Sequence, residues 1–149
     1  MEPQAILNVN RVILSHFDSY SAALVFARFG KTLLVPEPLP DSAVVMQPPA
    51  QPLVEHGANL VLHAAVDRYG LKAADVVRMN GFDAWMRTDS GPVRVHLLRF
   101  TTFLAPAESI APHGGAFAPI SNLRGSPRIE LELARQCFNL ILGGDATGG

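Results

Sequence analysis

The sequence predicts an α+β fold in which an antiparallel sheet, with a central β-hairpin at about 82–99, is backed by about three helices. Three features support this prediction. A turn is flanked by runs of aromatic and β-branched residues, three apolar segments end at glycines, and stretches rich in proline and glycine separate the segments. The length of 149 residues fits a single α+β domain over 1–149.

The hairpin is predicted from the turn sequence Asp89-Ser90-Gly91-Pro92 and its two arms. The register expected from this turn places Arg87 opposite Arg94 and Trp85 opposite His96. Side chains alternate between the two faces of a sheet, so the arms predict a core face and a polar face. The core face comprises Phe82, Ala84, Met86, Val93, Val95 and Leu97, and helices are expected to bury it. The opposite face comprises Asp83, Trp85, Arg87, Arg94, His96 and Leu98.

The three helices are predicted at about 19–29, 53–69 and 127–142. The first contains Ala and Leu and is followed by Gly30, where a left-handed C-cap is expected. The second has apolar residues at helical spacing and ends at Gly70, although Gly57 weakens its first turns. The third begins with Ser126-Pro127, a typical helix start, and carries an apolar stripe.

The remaining segments are predicted to be strands and connections. Strands are expected at 5–14, at 32–35 and, as an edge strand between two proline clusters, at 43–46. The segment 72–79 is compatible with a helix or with a strand, and its alanines favour helix. A long loop rich in Pro and Gly is expected at 104–125, and a disordered tail at 145–149.

Composition limits the classes of partner. A formal net charge of −1 gives no overall attraction to nucleic acid, so no nucleic-acid partner is expected. Hydrophobic residues make up 48% of the chain and charged residues 17%, which favours burial of some surface in a homodimer. The apolar runs are too short to span a membrane, and the N-terminus does not resemble a signal peptide. Together with a single cysteine, Cys137, this predicts a cytoplasmic protein with no membrane partner.

The polar hairpin face is the predicted ligand-binding site, formed by Trp85, Arg87, Arg94 and His96, with His113 brought near by the 104–125 loop acting as a lid. Arginine forks suit carboxylates and phosphates, and tryptophan offers a stacking surface. Three other interpretations stay open. A helix can cover Trp85, an acidic residue such as Asp83 can neutralise the arginines, or the face can be a dimer interface.

The function expected from this site is non-catalytic binding of an acidic small ligand or a protein partner. One alternative is a small enzyme of the hydrolase or transferase type, in which His96 or His113 works with an arginine that orients an anionic substrate. A second alternative is a structural or assembly subunit. No phosphate-binding or dinucleotide-binding motif is present, and His56, His63 and Asp67 are interpreted as a polar helix stripe. Neither a cofactor nor a metal is therefore expected.

Overall fold

A computed structural model describes residues 2–143 of the chain, so the predicted tail at 145–149 lies outside the described residues. The helices are α1 (Pro3–Leu7), α2 (Ala58–Tyr69), α3 (Ala107–Ile110) and α4 (Arg128–Phe138). The strands are β1 (Asn10–Asp18), β2 (Ala23–Phe29), β3 (Leu34–Val35), β4 (Val44–Val45), β5 (Val76–Arg78), β6 (Ala84–Thr88), β7 (Gly91–Phe100) and β8 (Gly115–Pro119). Four short 3-10 turns and a π-helical turn after α4 complete the described elements. The α+β class is confirmed.

The centre of the mixed sheet is a parallel pair formed by β1 and β7. The outer edge of β7 is shared by β6, which pairs with its first half, and β5, which pairs with its second half. The outer edge of β1 is shared in the same way by β3 and β2. Strands β4 and β8 lie outermost. The prediction of an antiparallel sheet is therefore wrong at the central pair, although the other strand pairs are antiparallel.

Helices cover both faces of this sheet. On one face, α4 contributes Leu133, Ala134 and Cys137 to a cluster with the predicted core residues Phe82, Met86, Val93, Val95 and Leu97. On the other face, α1 and α2 pack over Val12, Leu14, Leu98 and Phe100. The two central strands are consequently buried on both sides, which is typical of parallel strands. The expected core face of the hairpin is confirmed, but helices do not back one face only.

The segment 19–29 contains strand β2 where a helix was predicted. Alternate side chains of β2 enter different clusters: Leu24 and Phe26 lie with α4, whereas Ala27 lies with α2. Gly30, at φ 67°, belongs to a tight turn closed by hydrogen bonds between Phe29 and Thr32. Packing on both faces overrides the helix propensity of Ala and Leu, and the glycine serves a turn between strands rather than a helix cap.

The other two helices match their predictions closely. Helix α2 ends at the left-handed Gly70, as predicted, and a 3-10 turn at Val54–His56 precedes it because Gly57 adopts an extended conformation. Helix α4 begins directly after Pro127 and continues as a π-helical turn to Gly143. Among residues 2–143, no helix is long and apolar enough to cross a membrane.

Two connecting segments carry more structure than predicted. The segment 72–79 forms a 3-10 turn followed by β5, which pairs with β7 and replaces the favoured helix. The segment 104–125, predicted to be a loop, contains α3, two 3-10 turns and β8. Strand β8 pairs with β2 along five residue pairs, and this long-range pairing has no local sequence signature.

The hairpin of β6 and β7 forms in a different register from the predicted one. Arg87 lies opposite Pro92 and Trp85 lies opposite Arg94, a shift of two residues. The turn closes early because the Thr88 hydroxyl donates a hydrogen bond to the Gly91 carbonyl (2.7 Å) and accepts one from the Ser90 N–H (3.2 Å). A shift of two residues keeps every side chain on its face, so the two faces are correct while the opposed arginines are not.

Candidate functional site

The predicted site residues occupy three different environments. Trp85 and His96 are buried beneath the 3-10 turn that precedes α2, and Arg94 lies at their edge with 20% of its side chain exposed. Arg87 lies on the same face but is exposed. His113 lies beside the C-terminus of α2, where its Nε2 is 3.1 Å from the Tyr69 carbonyl oxygen. The structure thus brings Trp85, Arg94 and His96 together and places His113 elsewhere.

His96 is held in one tautomer by a buried hydrogen-bond network. The Asn10 amide nitrogen donates to the carbonyls of Ile6 and Glu55, so the Asn10 amide oxygen accepts from His96 Nε2 at 2.8 Å. The other ring nitrogen, Nδ1, accepts from Arg78 Nε at 2.9 Å. Burial, aided by the charges of Arg78 and Arg94, lowers the pKa of His96 to about 2. His96 is therefore neutral at physiological pH, with both ring nitrogens engaged.

The His56 side chain covers the indole ring of Trp85. Its ring packs edge-on against the indole at 4.8 Å between centroids, its Nδ1 accepts from the Leu53 N–H at 3.0 Å, and its Nε2 donates to the Pro92 carbonyl at 3.2 Å. Burial and the nearby Arg94 charge lower the pKa of His56. This contact answers one open question from the sequence: the segment preceding α2 covers Trp85.

Asp83 connects Arg94 and Trp85. One carboxylate oxygen accepts from Arg94 Nε and from the Trp85 indole N–H, each at 3.0 Å. Arg94 also donates to the His56 carbonyl at 3.1 Å, and its guanidinium lies 5.2 Å from the Trp85 ring centroid. A second open question is answered as well, because Asp83 provides the negative charge beside Arg94.

Arg78 is one of three residues of this cluster, with Asn10 and His56, that the sequence analysis did not assign to the site. It ends β5, donates to His96, and places Nη1 3.1 Å from the Asn80 side-chain oxygen. Its Nη2 is buried and has no hydrogen-bond partner among the described residues. Desolvation, together with the charge of Arg94, lowers the pKa of Arg78, and Asp83 opposes that shift. Assignment of 72–79 to a strand would have placed Arg78 on the polar face of the hairpin. The helix favoured for this segment did not predict that position.

The cluster carries more positive than negative charge. Arg94 is paired with Asp83, which is itself 43% exposed, whereas no carboxylate within residues 2–143 lies at ion-pair distance from Arg78. Among residues 2–143, no group of three His, Cys, Asp or Glu side chains could hold a metal ion. The chemistry available at this surface is recognition of an anion by guanidinium groups, supported from beneath by neutral His96 and His56.

Comparison of the sequence with protein-family models and with curated proteins finds no match to either.

Proposed function

We propose that this protein is a non-catalytic binding module that recognises an acidic group through Arg78 and Arg94. The observation that carries the proposal is the surplus positive charge of this pair, together with the buried, unpartnered Nη2 of Arg78. An unpaired, partly desolvated charge is costly. A carboxylate bound beside the two guanidiniums would offset that cost by neutralising part of their charge.

The surroundings of the pair support binding without chemistry at the bound group. His96 lies directly beneath Arg78, but both of its ring nitrogens are occupied and its pKa is about 2. A histidine in that state cannot exchange a proton near neutral pH. Its role in the proposal is to position the Arg78 guanidinium, while Trp85 and Asp83 position Arg94. Because the guanidinium groups of Arg78 and Arg94 are already held in position, binding a carboxylate would cost little side-chain entropy.

Isothermal titration calorimetry with two carboxylate probes tests the proposal. Citrate represents an acidic small ligand, and a hexaglutamate peptide represents an acidic segment of a protein partner. The variants are Arg94→Gln and Arg78→Lys, because Lys keeps the charge of Arg78 but loses the planar fork. Arg87→Gln is the matched control, since Arg87 lies on the same face and is exposed.

Saturable binding of at least one probe is expected, weakened about tenfold or more in both test variants and unchanged in the control. Tighter binding of citrate would identify a small-ligand site, and tighter binding of hexaglutamate a partner surface. The proposal fails if neither probe binds, or if Arg87→Gln weakens binding as much as Arg94→Gln does. Far-UV circular dichroism of each variant checks that the fold is retained.

Self-association is a second role that a separate observation favours. Three large apolar side chains are strongly exposed at the carboxyl ends of β1 and β7: Tyr20 (86%), Phe103 (74%) and Leu104 (70%). The rings of Tyr20 and Phe103 pack edge-on at 5.9 Å. Exposed apolar side chains that lie together are one feature of protein interaction sites.

We propose that a second copy of the chain covers this patch in a homodimer. A cavity of about 460 Å³ beside Phe103 and Leu104 is also lined by Lys72, Asp75 and Glu108. Because both charge signs are present, a two-fold axis can bring the lysine of one copy to an acidic residue of the other.

Light scattering coupled to size-exclusion chromatography should give a dimer mass, and Phe103→Ser should give a monomer. Val54→Ser, another position that is 70% exposed, is the control. A monomeric parent protein, or a dimeric Phe103→Ser variant, contradicts the proposal.

A further inference from the structure

A second cluster of polar residues surrounds the C-terminus of α2, on residues that the hairpin site does not use. Tyr69 is its centre. The guanidinium of Arg68 lies over the Tyr69 ring at 5.1 Å, and the His113 ring packs edge-on against it at 5.0 Å. Burial raises the pKa of the Tyr69 phenol, and the Arg68 charge opposes this shift. Three side chains with hydrogen-bonding groups therefore converge at one point.

These side chains line a cavity of about 440 Å³, within the range typical of small-ligand sites. Its apolar wall includes Phe29, Leu34 and Val35, and the latter two are buried core residues. The proline-rich segment after β3 forms the opposite rim, where Glu37 lies 3.8 Å from Arg11. The cavity thus combines an apolar wall with a polar end at Tyr69.

The charges in the cavity favour an anion at the Tyr69 end. Glu37 is offset by Arg11, whereas no carboxylate within residues 2–143 lies at ion-pair distance from Arg68. A carbonyl oxygen can only accept a hydrogen bond, so His113 uses Nε2–H for its bond to the Tyr69 carbonyl. In that tautomer Nδ1 of His113 can only accept a hydrogen bond, so Arg68 rather than His113 would donate to an acid.

We infer that this cavity binds a small organic acid, with its carboxylate at Arg68 and its apolar body against Phe29. The site is independent of Arg78 and Arg94, so neither proposal depends on the other. The enzyme alternative required His96 or His113 beside an arginine. Because both ring nitrogens of His96 are occupied, only His113, near Arg68 in this cavity, could take that role.

Ligand-observed NMR with benzoate tests this inference, with benzyl alcohol as the uncharged analogue of similar shape. The test variant is Arg68→Gln. Arg128→Gln, an exposed arginine at the start of α4, is the matched control, and Arg94→Gln separates this cavity from the hairpin site.

Benzoate is expected to bind saturably and about tenfold or more tightly than benzyl alcohol, because the guanidinium pairs only with the acid. Arg68→Gln should abolish that preference and leave benzyl alcohol binding unchanged, and the two other variants should retain it. The inference is overturned if benzoate does not saturate, if both probes bind equally, or if Arg68→Gln keeps the preference. Loss of benzoate binding in Arg94→Gln would also overturn it, because it would place the acid at the hairpin face.

Discussion

Protonation of His96 should make the protein lose stability steeply as the pH falls below about 6.5. The pKa of His96 in the folded state is about 2, compared with the ordinary value of 6.5. A group whose folded pKa is lowered contributes stability that is fully present above 6.5 and is lost as the pH falls toward the folded value. The physical reason is that a protonated Nδ1 could no longer accept from Arg78, and a buried cation would face Arg78 and Arg94.

The magnitude follows from proton linkage. One additional proton taken up by the unfolded chain changes the free energy of unfolding by about 1.4 kcal/mol per pH unit. Between pH 6.5 and pH 4.5 the His96 contribution is about 2 kcal/mol, because the unfolded histidine is only half protonated at pH 6.5, and this is a large fraction of the stability of a small domain. The lowered pKa of His56 acts in the same direction.

Urea denaturation at several pH values measures this dependence. His96→Gln removes the titrating ring while keeping an N–H that can reach Asn10. Below pH 6.5 the free energy of unfolding of this variant should therefore fall by about 1.4 kcal/mol less per pH unit than that of the parent protein. His63→Gln, at an exposed helix position, is the matched control for replacing a histidine by glutamine. An unchanged slope in His96→Gln, or an NMR titration of the His96 ring near pH 6, would refute the reasoning.

Three further predictions concern the packing that supports the two sites. Glu130→Ala should cost about 2–3 kcal/mol in urea denaturation, because the Leu33 N–H and the Thr32 hydroxyl each lose an acceptor at 2.7 Å. Burial raises the pKa of Glu130 against the effect of those bonds, so a neutral Glu130→Gln should cost less than Ala at pH 7; an equal cost would contradict this. Gly115→Ala would place a Cβ 2.5 Å from the Phe29 ring, and a loss of about 1–3 kcal/mol is expected in thermal unfolding, with Ala116→Ser as the neutral control. Trp85→Ala should cost about 3–5 kcal/mol by chemical denaturation, and a cost below 1 kcal/mol would show that the His56 contact does not fix the indole.

The sequence predicts the elements whose local signals agree with their packing. Helices α2 and α4 have apolar periodicity, and the left-handed Gly70 ends the first of them as predicted. The two faces of the hairpin are also correct, because strand alternation does not depend on the register. These signals are local, so they can be recognised in one chain without a relative.

The incorrect predictions share a different cause, which is long-range packing. Strand β2 has helix-forming residues but is held between two layers, and β8 exists because it pairs with β2. Whether β1 and β7 pair in parallel is decided by the path of the chain between them, which local sequence signals do not reveal; both strands are largely buried.

The candidate site was predicted in part for the same reason. Trp85, Arg94 and His96 come from one hairpin and could be grouped by alternation. Arg78 and His56 arrive from separate segments, and only tertiary structure brings them to the same place. The chemical consequence for His96 is substantial, because Arg78 and Asn10, which also come from separate segments, occupy both of its ring nitrogens.

The most direct test of anion recognition by Arg78 and Arg94 uses the indole N–H of Trp85, the only tryptophan of the chain. This N–H donates to the Asp83 oxygen that also accepts from Arg94 Nε, so an acid that engages Arg94 must alter its environment. We predict that titration with hexaglutamate or citrate shifts the indole ¹⁵N–¹H resonance saturably in the parent protein and in Arg87→Gln, and leaves it in place in Arg94→Gln. An indole resonance that does not move with either probe, or that moves equally in Arg94→Gln, would contradict the proposed function.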